Sequence, residues 1–298
     1  FNDMKRIFAF IFCFAMLTFA FSAEKESPES TQTSIIVSSY NMLYTFEKGH
    51  RSYTIEREQK WHKRKDTILQ MVKSQNIDIC GTQELRKLQI DYLFPDDTYN
   101  YVIAPKEFDP QQRLMNNLIL YKKDKFEVLE NGFFWLISYR KWRHCIWAKF
   151  KDKQTDCTFY VFNVHFPVTR EAGEEGKMVA SKTLVENIKK IANNQRIILT
   201  GDFNSLEITP QIKHIKQSGL VDSKEVSKTQ PQGPNFSYNK YSTRYRPPAH
   251  PETKNLHIDF IFCSKDIEVE SIKVVPDCIN GVLPSDHFPV VAKIKIKK

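Results

Sequence analysis

Hydrophobic and polar residues follow one another in short runs rich in β-branched and aromatic side chains, separated by polar turns. Runs of four to eight such residues are typical of strands that are buried on one or both faces. Many strands at short spacing are therefore expected. The predicted strands cover residues 35–40, 77–82, 99–104, 117–121, 126–129, 145–150, 159–165, 196–200, 258–263, 269–275 and 290–296.

Helical spacing interrupts this pattern in separate places. Over residues 57–74, Trp61, Ile68, Met71 and Val72 fall on one helical face with Lys and Arg opposite. A second amphipathic helix is predicted over 177–192, and a short one carries Leu85, Leu88 and Leu93. Strands with helices in two places predict an α+β fold of two packed sheets flanked by helices.

The N-terminus reads as an export signal. Lys5 and Arg6 precede the uncharged run Ile7–Phe21, and small residues follow, which predicts a signal peptide over 1–23 with cleavage after Ser22 or Ala23. The alternative is an uncleaved anchor, although about 20 apolar residues are normally needed to span a bilayer. Export places the protein outside the cell, or in the periplasm of a bacterial host.

Composition separates a polar lead-in from one large domain. Residues 24–33 are polar and contain Pro, which predicts disorder. Residues 34–298 contain no internal repeat and no linker, so we expect a single domain and a monomer. Within it, the polar, Pro-rich stretch 230–255 is long for a loop, and long structured loops tend to be functional.

The chain is basic, with 44 Lys and Arg against 35 Asp and Glu and a formal net charge of +9. Removal of Lys5, Arg6 and Asp3 with the signal would leave +8. A positive surface favours a phosphate-bearing partner or an anionic membrane face. Three clusters interleave basic and aromatic residues, as nucleic-acid-binding proteins do, although a solvated helix face explains the first equally well. These clusters cover residues 60–65, 140–144 and 244–246.

Five cysteines follow the signal, and their spacing contains no CxxC pair of the kind that binds zinc. Most lie within apolar runs, so we expect them to act as small hydrophobic residues. The 13% aromatic content excludes a disordered chain, and only 9 Gly and 14 Pro exclude a collagen-like one.

Polar residues with catalytic potential lie where the predicted strands end or begin. Each group alone is explained by turn chemistry. Together they would be costly to bury unless they serve a metal or a substrate. The groups are Asn41, Gln83-Glu84, Asn163-Val164-His165, Gly201-Asp202-Phe203-Asn204, His257-Ile258-Asp259 and Ser285-Asp286-His287.

The donor types favour a particular chemistry. Oxygen ligands from Glu84, Asp286 and Asn41, with no Cys partner, suit Mg²⁺ or Mn²⁺ rather than zinc. Such an ion beside His and Asp can polarise a phosphoryl oxygen and deliver water. The sequence contains neither a Walker-type glycine loop nor a Gly-x-Ser-x-Gly elbow, which argues against a P-loop NTPase and a serine esterase.

In order and spacing, these groups resemble the endonuclease/exonuclease/phosphatase superfamily, over about residues 34–296. That superfamily includes deoxyribonucleases, abasic-site endonucleases, inositol polyphosphate 5-phosphatases, deadenylases and neutral sphingomyelinases. The resemblance implies a four-layer α/β/β/α sandwich of two mixed sheets, with the site at one edge of both sheets. It also implies a metal-dependent phosphoric ester hydrolase.

The resemblance implies a role for each residue. Glu84 would be the principal Mg²⁺ ligand, supported by Asn41 and Asp286. Asp202 would orient or deprotonate the attacking water, and Asn204 would help to hold that water and the phosphate. The remaining roles concern hydrogen-bond donors: His287, held by Asp259, would donate to the scissile phosphoryl group, and His165 would stabilise the transition state or protonate the leaving oxygen.

Substrate-binding candidates follow from a secreted or bacterial-type branch of the superfamily. The segment 134–138 followed by Arg143-x-x-x-Trp147 resembles that branch, which makes Arg143 a candidate. His257 is a second candidate because it occupies the place where that branch often has Arg. Pro167-Val168 replaces an Asp-His pair, and the loop before Arg143 is short, so no relative's substrate transfers directly.

Three functions are therefore open. The basic charge and the basic-aromatic clusters favour a secreted Mg²⁺-dependent nuclease. A phosphatase or phosphodiesterase for a small phosphorylated sugar, lipid or inositide is the alternative on the same fold. A noncatalytic binding protein is the alternative from another class, and the complete residue set argues against it.

Overall fold

The structure is a computed structural model that describes residues 32–46, 48–50, 52–95, 98–105, 117–138, 143–242, 256–276 and 278–298. The predicted signal peptide lies outside the described residues, as do most of the lead-in and the basic residues 140–142 and 244–246. No helix in these ranges is both long enough and apolar enough to span a membrane.

Twelve strands in the described chain form two six-stranded sheets. The first contains β1 (Gln32–Asn41), β2 (Ile79–Gln83), β3 (Tyr99–Val102), β4 (Asn117–Lys122), β11 (Glu268–Val274) and β12 (Val290–Lys297), in the order β11-β12-β1-β2-β4-β3. The second contains β5 (Phe126–Trp135), β6 (His144–Asp152), β7 (Thr158–His165), β8 (Ile197–Asp202), β9 (Leu220–Asp222) and β10 (Asp259–Ser264), in the order β5-β6-β7-β8-β10-β9. Both sheets are mixed, because β1–β2 and β7–β8 are parallel pairs among antiparallel ones.

Helices cover the outer faces of the two sheets. Helices α1 (Ile55–Ser74) and α2 (Lys87–Leu93) pack on the first sheet through a buried cluster that includes Trp61 and Leu118. Helices α3 (Thr169–Ala192) and α4 (Pro210–Gln217) pack on the second through Leu184 and Phe162, and a short α5 (Ser223–Val226) follows β9. The predicted four-layer α/β/β/α sandwich is confirmed.

The layer between the sheets changes from apolar to polar along each central strand. Side chains that face one side of a strand recur every second residue. Ile79 is therefore followed on its face by Gly81 and Gln83, and Val161 by Asn163 and His165. The same alternation brings Asn41, Asp202 and Asp259 to the inner face, so the polar ends of these strands share one edge of the sandwich.

The sheets approach closely just beneath that edge. A Cβ placed on Gly81 would lie 1.9 Å from Thr200 Oγ1 and 2.6 Å from Asn163 Oδ1. Asn163 Nδ2 reaches across to donate to the carbonyls of Thr82 (2.8 Å) and Leu118 (3.0 Å). Buried amides are stable only when such partners exist. The motif residue Asn163 thus ties the two sheets together.

Several predicted boundaries were wrong for local reasons. Helix α3 begins at Thr169 rather than Lys177, because a kink at Gly173 (φ 66°) interrupts the apolar spacing. Strand β5 continues to Trp135, beyond the predicted end at residue 129, since a bulge between Val128 and Glu130 breaks the alternation. Strand β1 begins at Gln32, within the predicted lead-in, because residues 32 and 33 pair with β12.

Most of the cysteines in the described chain lie in the apolar core, as predicted for small hydrophobic residues. Four of them are buried and only Cys278 is exposed.

Candidate active site

Strand register places three predicted catalytic residues side by side. His165 at the end of β7 pairs with Asp202 at the end of β8, and Asp202 pairs with Asp259 at the start of β10. All three are buried. His165 Nε2 lies 3.5 Å from Asp202 Oδ2. The second sheet therefore supplies a compact row of ionisable groups.

The first sheet and its loops complete the row. Asn41 ends β1, and its Nδ2 donates to Asp202 Oδ2 at 3.1 Å, which joins the two sheets. His287 lies in the loop before β12, with Nδ1 2.8 Å from Asp259 Oδ2 and Nε2 3.8 Å from Asp202 Oδ2. Asp202 is thus the point on which Asn41, His165 and His287 converge.

Asn204 is held by a local turn after β8. Its backbone N–H donates to Asp202 Oδ1 at 2.9 Å, and its φ of 47° lies in the left-handed region that Asn tolerates. The side-chain amide donates to the Phe166 carbonyl, and the buried Lys177 ammonium donates to the Asn204 carbonyl at 2.8 Å. The turn fixes both the backbone and the side chain beside Asp202.

The two histidines carry different charges because their neighbours differ. Burial would lower the pKa of His287, but the carboxylates of Asp259 and Asp202 outweigh it and hold that pKa well above its usual value. Burial, the Arg143 charge and the His287 charge hold the pKa of His165 well below its usual value. His287 is therefore protonated at neutral pH and His165 is neutral.

The pKa of Asp202 is raised, mainly by burial and also by the Asp259 charge, although His287 and the hydrogen bonds from Asn204 and Asn41 oppose this. A carboxylate with a raised pKa accepts a proton near neutral pH more readily than an exposed one. This favours Asp202 as the base.

Glu84 and Asp286 form a second group of carboxylates. Glu84 follows β2 with a φ of 59°, a strained conformation for this residue, and its Oε2 accepts from the Tyr44 N–H at 3.4 Å. Burial and the Asp286 charge raise the pKa of Glu84. Two neighbouring carboxylates that repel each other fit a divalent cation, because the ion would neutralise them and oxygen ligands suit Mg²⁺.

Asn41 fits the same ion. Its Oδ1 accepts from the Leu43 N–H at 3.1 Å and keeps a second lone pair. The ligand atoms of Asp202, Asp259 and His287 also lie within 4.8 Å of one another. A hydrogen bond already joins His287 to Asp259, and Asn41 donates to Asp202. Glu84, Asp286 and Asn41, called the cation set below, therefore stay the predicted ligands of a divalent ion.

The structure brings Arg143 close to the site. Its guanidinium pairs with Glu171 at the start of α3, with Nη2 2.7 Å from Oε2, and its charge lowers the pKa of both His165 and Glu84. The placement suits an anion-binding role, with the fork oriented by Glu171.

His257 is not brought to the cluster. Its ring packs against Phe260, whose side chain faces the helices on the outer side of the second sheet, and Lys224 lies near it. Burial, with help from Lys224, lowers the pKa of His257 to about 4. β10 begins only at Asp259, so strand alternation does not extend to His257. Its role in substrate binding stays a prediction, and it takes no part in the proposed mechanism.

Arg64 was missed as a site residue. It is buried in α1, and its Nη1 donates to the carbonyls of Met42 (2.6 Å) and Pro284 (2.9 Å), while Nη2 donates to Leu43. It thereby ties the loop after Asn41 to the loop before Asp286. The signal was present in the sequence: Arg64 lies three residues after Trp61 and four before Ile68, on the apolar face rather than opposite it.

Sequence and structure comparisons give the same family. Residues 38–287 match the profile of the Endonuclease/Exonuclease/phosphatase family. The chain is 27% identical over 280 residues to a probable CCR4-Not complex 3'-5'-exoribonuclease subunit Ccr4 of Vairimorpha ceranae, covering 79% of this chain and 58% of that protein. It therefore spans little more than half the length of that curated relative.

Two solved structures from Bacteroides thetaiotaomicron are similar over most of the fold. One is an endonuclease/exonuclease/phosphatase family protein, with 27% identity, a TM-score of 0.74 and coverage of 89% of this chain and 96% of that one. The other is a mannosyl-6-phosphatase, with 26% identity, a TM-score of 0.72 and coverage of 87% and 99%. The chain belongs to the endonuclease/exonuclease/phosphatase family, whose members are divalent-metal-dependent hydrolases of phosphoesters.

Proposed function

We propose that this protein is a secreted, Mg²⁺-dependent phosphodiesterase of the nuclease type. The observation that carries the proposal is the convergence on Asp202. Asn41 orients its carboxylate, while His165 Nε2 and His287 Nε2 lie 3.5 and 3.8 Å from the same Oδ2. A base beside two imidazoles has the groups needed to activate a water next to a phosphoryl group and to stabilise the charge that develops there.

The proposed role of each catalytic residue follows from its charge. Asp202 removes a proton from the attacking water, whose oxygen bonds to phosphorus as the bond to the leaving oxygen breaks, and the leaving oxygen takes up a proton from solvent water. His287, protonated through its contact with Asp259, donates a charge-assisted hydrogen bond to the phosphoryl oxygens. A neutral imidazole is a poor acid, so His165 serves as a hydrogen-bond donor rather than as the proton source for the leaving group.

The cation set contributes separately. A divalent ion held by Glu84, Asp286 and Asn41 would polarise a phosphoryl oxygen as a Lewis acid. We assign Mg²⁺ because all of these ligands are oxygen atoms. Arg143 would donate from Nη1 to a non-bridging oxygen of the substrate, since Nε and Nη2 already donate to Glu171.

Two facts support nucleic acid as the substrate. The chain carries a formal net charge of +9, which becomes +8 once the proposed signal is removed, and a positive charge favours association with a polyanion. The Ccr4 relative, which covers 79% of the chain, is a 3'-5'-exoribonuclease subunit. A phosphatase for a small phosphorylated sugar is the second candidate, because the mannosyl-6-phosphatase is matched over 99% of its own length.

Activity assays distinguish these candidates. The purified protein is incubated with RNA, plasmid DNA, mannose 6-phosphate and bis(p-nitrophenyl) phosphate, with Mg²⁺ or with EDTA. We expect Mg²⁺-dependent degradation of nucleic acid that Asp202→Asn lowers by about 10²–10⁴-fold. Asp222→Asn, the same change at a buried aspartate in β9, is the matched control. Phosphate release from the sugar ester alone would replace the nuclease proposal with the phosphatase.

Secretion is proposed from the N-terminal sequence. Lys5 and Arg6 followed by the uncharged run Ile7–Phe21 are typical of a signal peptide. N-terminal sequencing of protein collected outside the producing cell should begin at Ala23 or Glu24. Retention of Met4 and the apolar run on a membrane-bound product would establish the uncleaved anchor instead.

A further inference from the structure

A cleft of about 470 Å³ is enclosed by α1, the loop before β10 and the loop between β11 and β12. Its lining includes Lys60 and Lys63 from α1, Tyr241 from the loop before β10, and Gly281 and Leu283 from the loop before β12. The catalytic row, which is Asn41, His165, Asp202, Asp259 and His287, contributes no residue to this lining. The cleft is therefore a separate feature of the surface.

The cleft lies beside the cation set. Leu283 is three residues before Asp286, so at most about 10 Å of extended chain separates their Cα atoms. Asn239 fastens the opposite wall: its N–H donates to the Asp286 carbonyl at 2.7 Å, and its Oδ1 accepts from the Tyr241 N–H at 2.7 Å. Arg64, next to Lys63 in sequence, donates to the Pro284 carbonyl. Both walls are thus tied to the loop that carries Asp286.

The charges of the cleft favour an anion. Lys60 Nζ lies 5.8 Å from the centre of the Tyr241 ring and 2.8 Å from Glu56, in an exposed pair of the kind that contributes little. Lys63 is exposed, and no carboxylate among the described residues pairs with it. Two ammonium groups beside an aromatic ring combine a phosphate-binding charge with a surface on which a base can stack.

We propose that this cleft binds the phosphate of a nucleotide two or three positions from the scissile bond in a single-stranded nucleic acid, with the base of that nucleotide against Tyr241. A stacked strand rises about 3.4 Å per nucleotide, so two or three nucleotides cover the distance from the cation set. The inference rests on the proposed nuclease function and extends it. It makes this protein prefer oligonucleotides over short phosphodiesters.

The test compares a single-stranded oligoribonucleotide of eight residues with bis(p-nitrophenyl) phosphate, which is too small to reach the cleft. For Lys60→Gln/Lys63→Gln, the ratio of kcat/KM on the oligonucleotide to kcat/KM on the small ester should fall about tenfold. The salt slope on the oligonucleotide, which is the rise in log KM per unit rise in the logarithm of salt concentration, should fall by about 0.7, the value for one phosphate contact of a single strand. Tyr241→Leu should lower the same ratio without changing the salt slope.

The matched control is Lys189→Gln/Lys190→Gln, which removes two exposed charges at the far end of α3 and should leave the ratio unchanged. An unchanged ratio in the Lys60/Lys63 variant, with wild-type protein degrading the oligonucleotide, would overturn the cleft assignment and leave the nuclease function intact. An equal loss in the control would also overturn it, because total charge would then explain the effect. Wild-type protein that cleaves only small esters would overturn the nuclease function and the cleft assignment together.

Discussion

The two histidines of the site differ in protonation because the charges around them differ. Both imidazoles lie near Asp202, but His287 also pairs with Asp259, whereas burial and the charges of Arg143 and His287 lower the pKa of His165. Their roles are therefore set by neighbours that lie far apart in the sequence. The sequence is sufficient to identify the two histidines, but the structure is needed to assign a charge and a role to each.

Asp259→Asn tests this division at a single side chain. Without the carboxylate, burial should dominate and the pKa of His287 should fall. Activity should drop by about 10²–10⁴-fold at neutral pH, because a charged donor to the phosphoryl group is lost. The raised pKa of His287 keeps this imidazole protonated above pH 6.5, so wild-type activity should persist there. As the pH rises, the variant should lose its remaining activity at a lower pH than the wild type does. A pH profile of kcat/KM measures both effects, and a variant with an unshifted profile would show that Asp259 does not control His287.

Substitutions of Arg64 test the role of its hydrogen bonds to three carbonyls. In Arg64→Met the Met42, Leu43 and Pro284 carbonyls lose their buried donor, which should cost about 2–5 kcal/mol of unfolding free energy and lower kcat. Arg64→Lys keeps the charge but lacks the planar fork, so it should recover part of the stability and less of the activity. Urea unfolding and kcat measured on the same preparations separate the two losses. If both variants keep full activity, Arg64 has no role in positioning the loops.

At the scale of elements, the strand ends position the site and the close contact of the sheets holds them there. Gly81→Ala would place a methyl group 1.9 Å from Thr200 Oγ1. The sheets should separate locally, which should lower the unfolding free energy by about 1–3 kcal/mol and weaken the Asn163 cross-link. Gly81→Ala combined with Thr200→Ala should recover part of the loss, as thermal unfolding would show. A fully stable Gly81→Ala protein would mean that the two sheets can adjust without cost.

The buried Asp222, at the end of β9, should make the stability of the protein depend on pH. Burial raises the pKa of Asp222 to about 6, above the value of an unfolded chain, so the folded state binds this proton more tightly. The wild-type protein should lose up to about 3 kcal/mol of stability from this group as pH rises from about 4 to above 6. Asp222→Asn should therefore be more stable than wild type at pH 8 and similar to it at pH 4. Thermal unfolding at both pH values measures the difference, and a difference independent of pH would refute the assignment.

The sequence predicted long, strongly patterned elements better than short or interrupted ones. The central strands and their polar ends follow from period-two alternation, and so do the inward positions of Asn41, Asp202 and Asp259. The short elements α4, β9 and α5 carry too few residues to establish a period. His257 was predicted to bind substrate because related sequences often have Arg at its position, and this stays a prediction; its contact with the Phe260 ring does not follow from the alternation along β10.

At the scale of the whole molecule, we expect positive charge to bring the proposed nucleic-acid substrate to the site. The formal net charge is +9, and the cleft beside the cation set exposes Lys63 and part of Lys60. If nucleic acid contacts three phosphate-binding groups, KM for a single-stranded substrate should rise about twentyfold between 50 and 200 mM salt. Hydrolysis of bis(p-nitrophenyl) phosphate should change little over the same range, because a small ester releases few counterions. Steady-state kinetics at four salt concentrations measure both slopes. Equal, shallow slopes for the two substrates would mean that the basic surface does not bind the nucleic acid and would favour the small-substrate phosphatase.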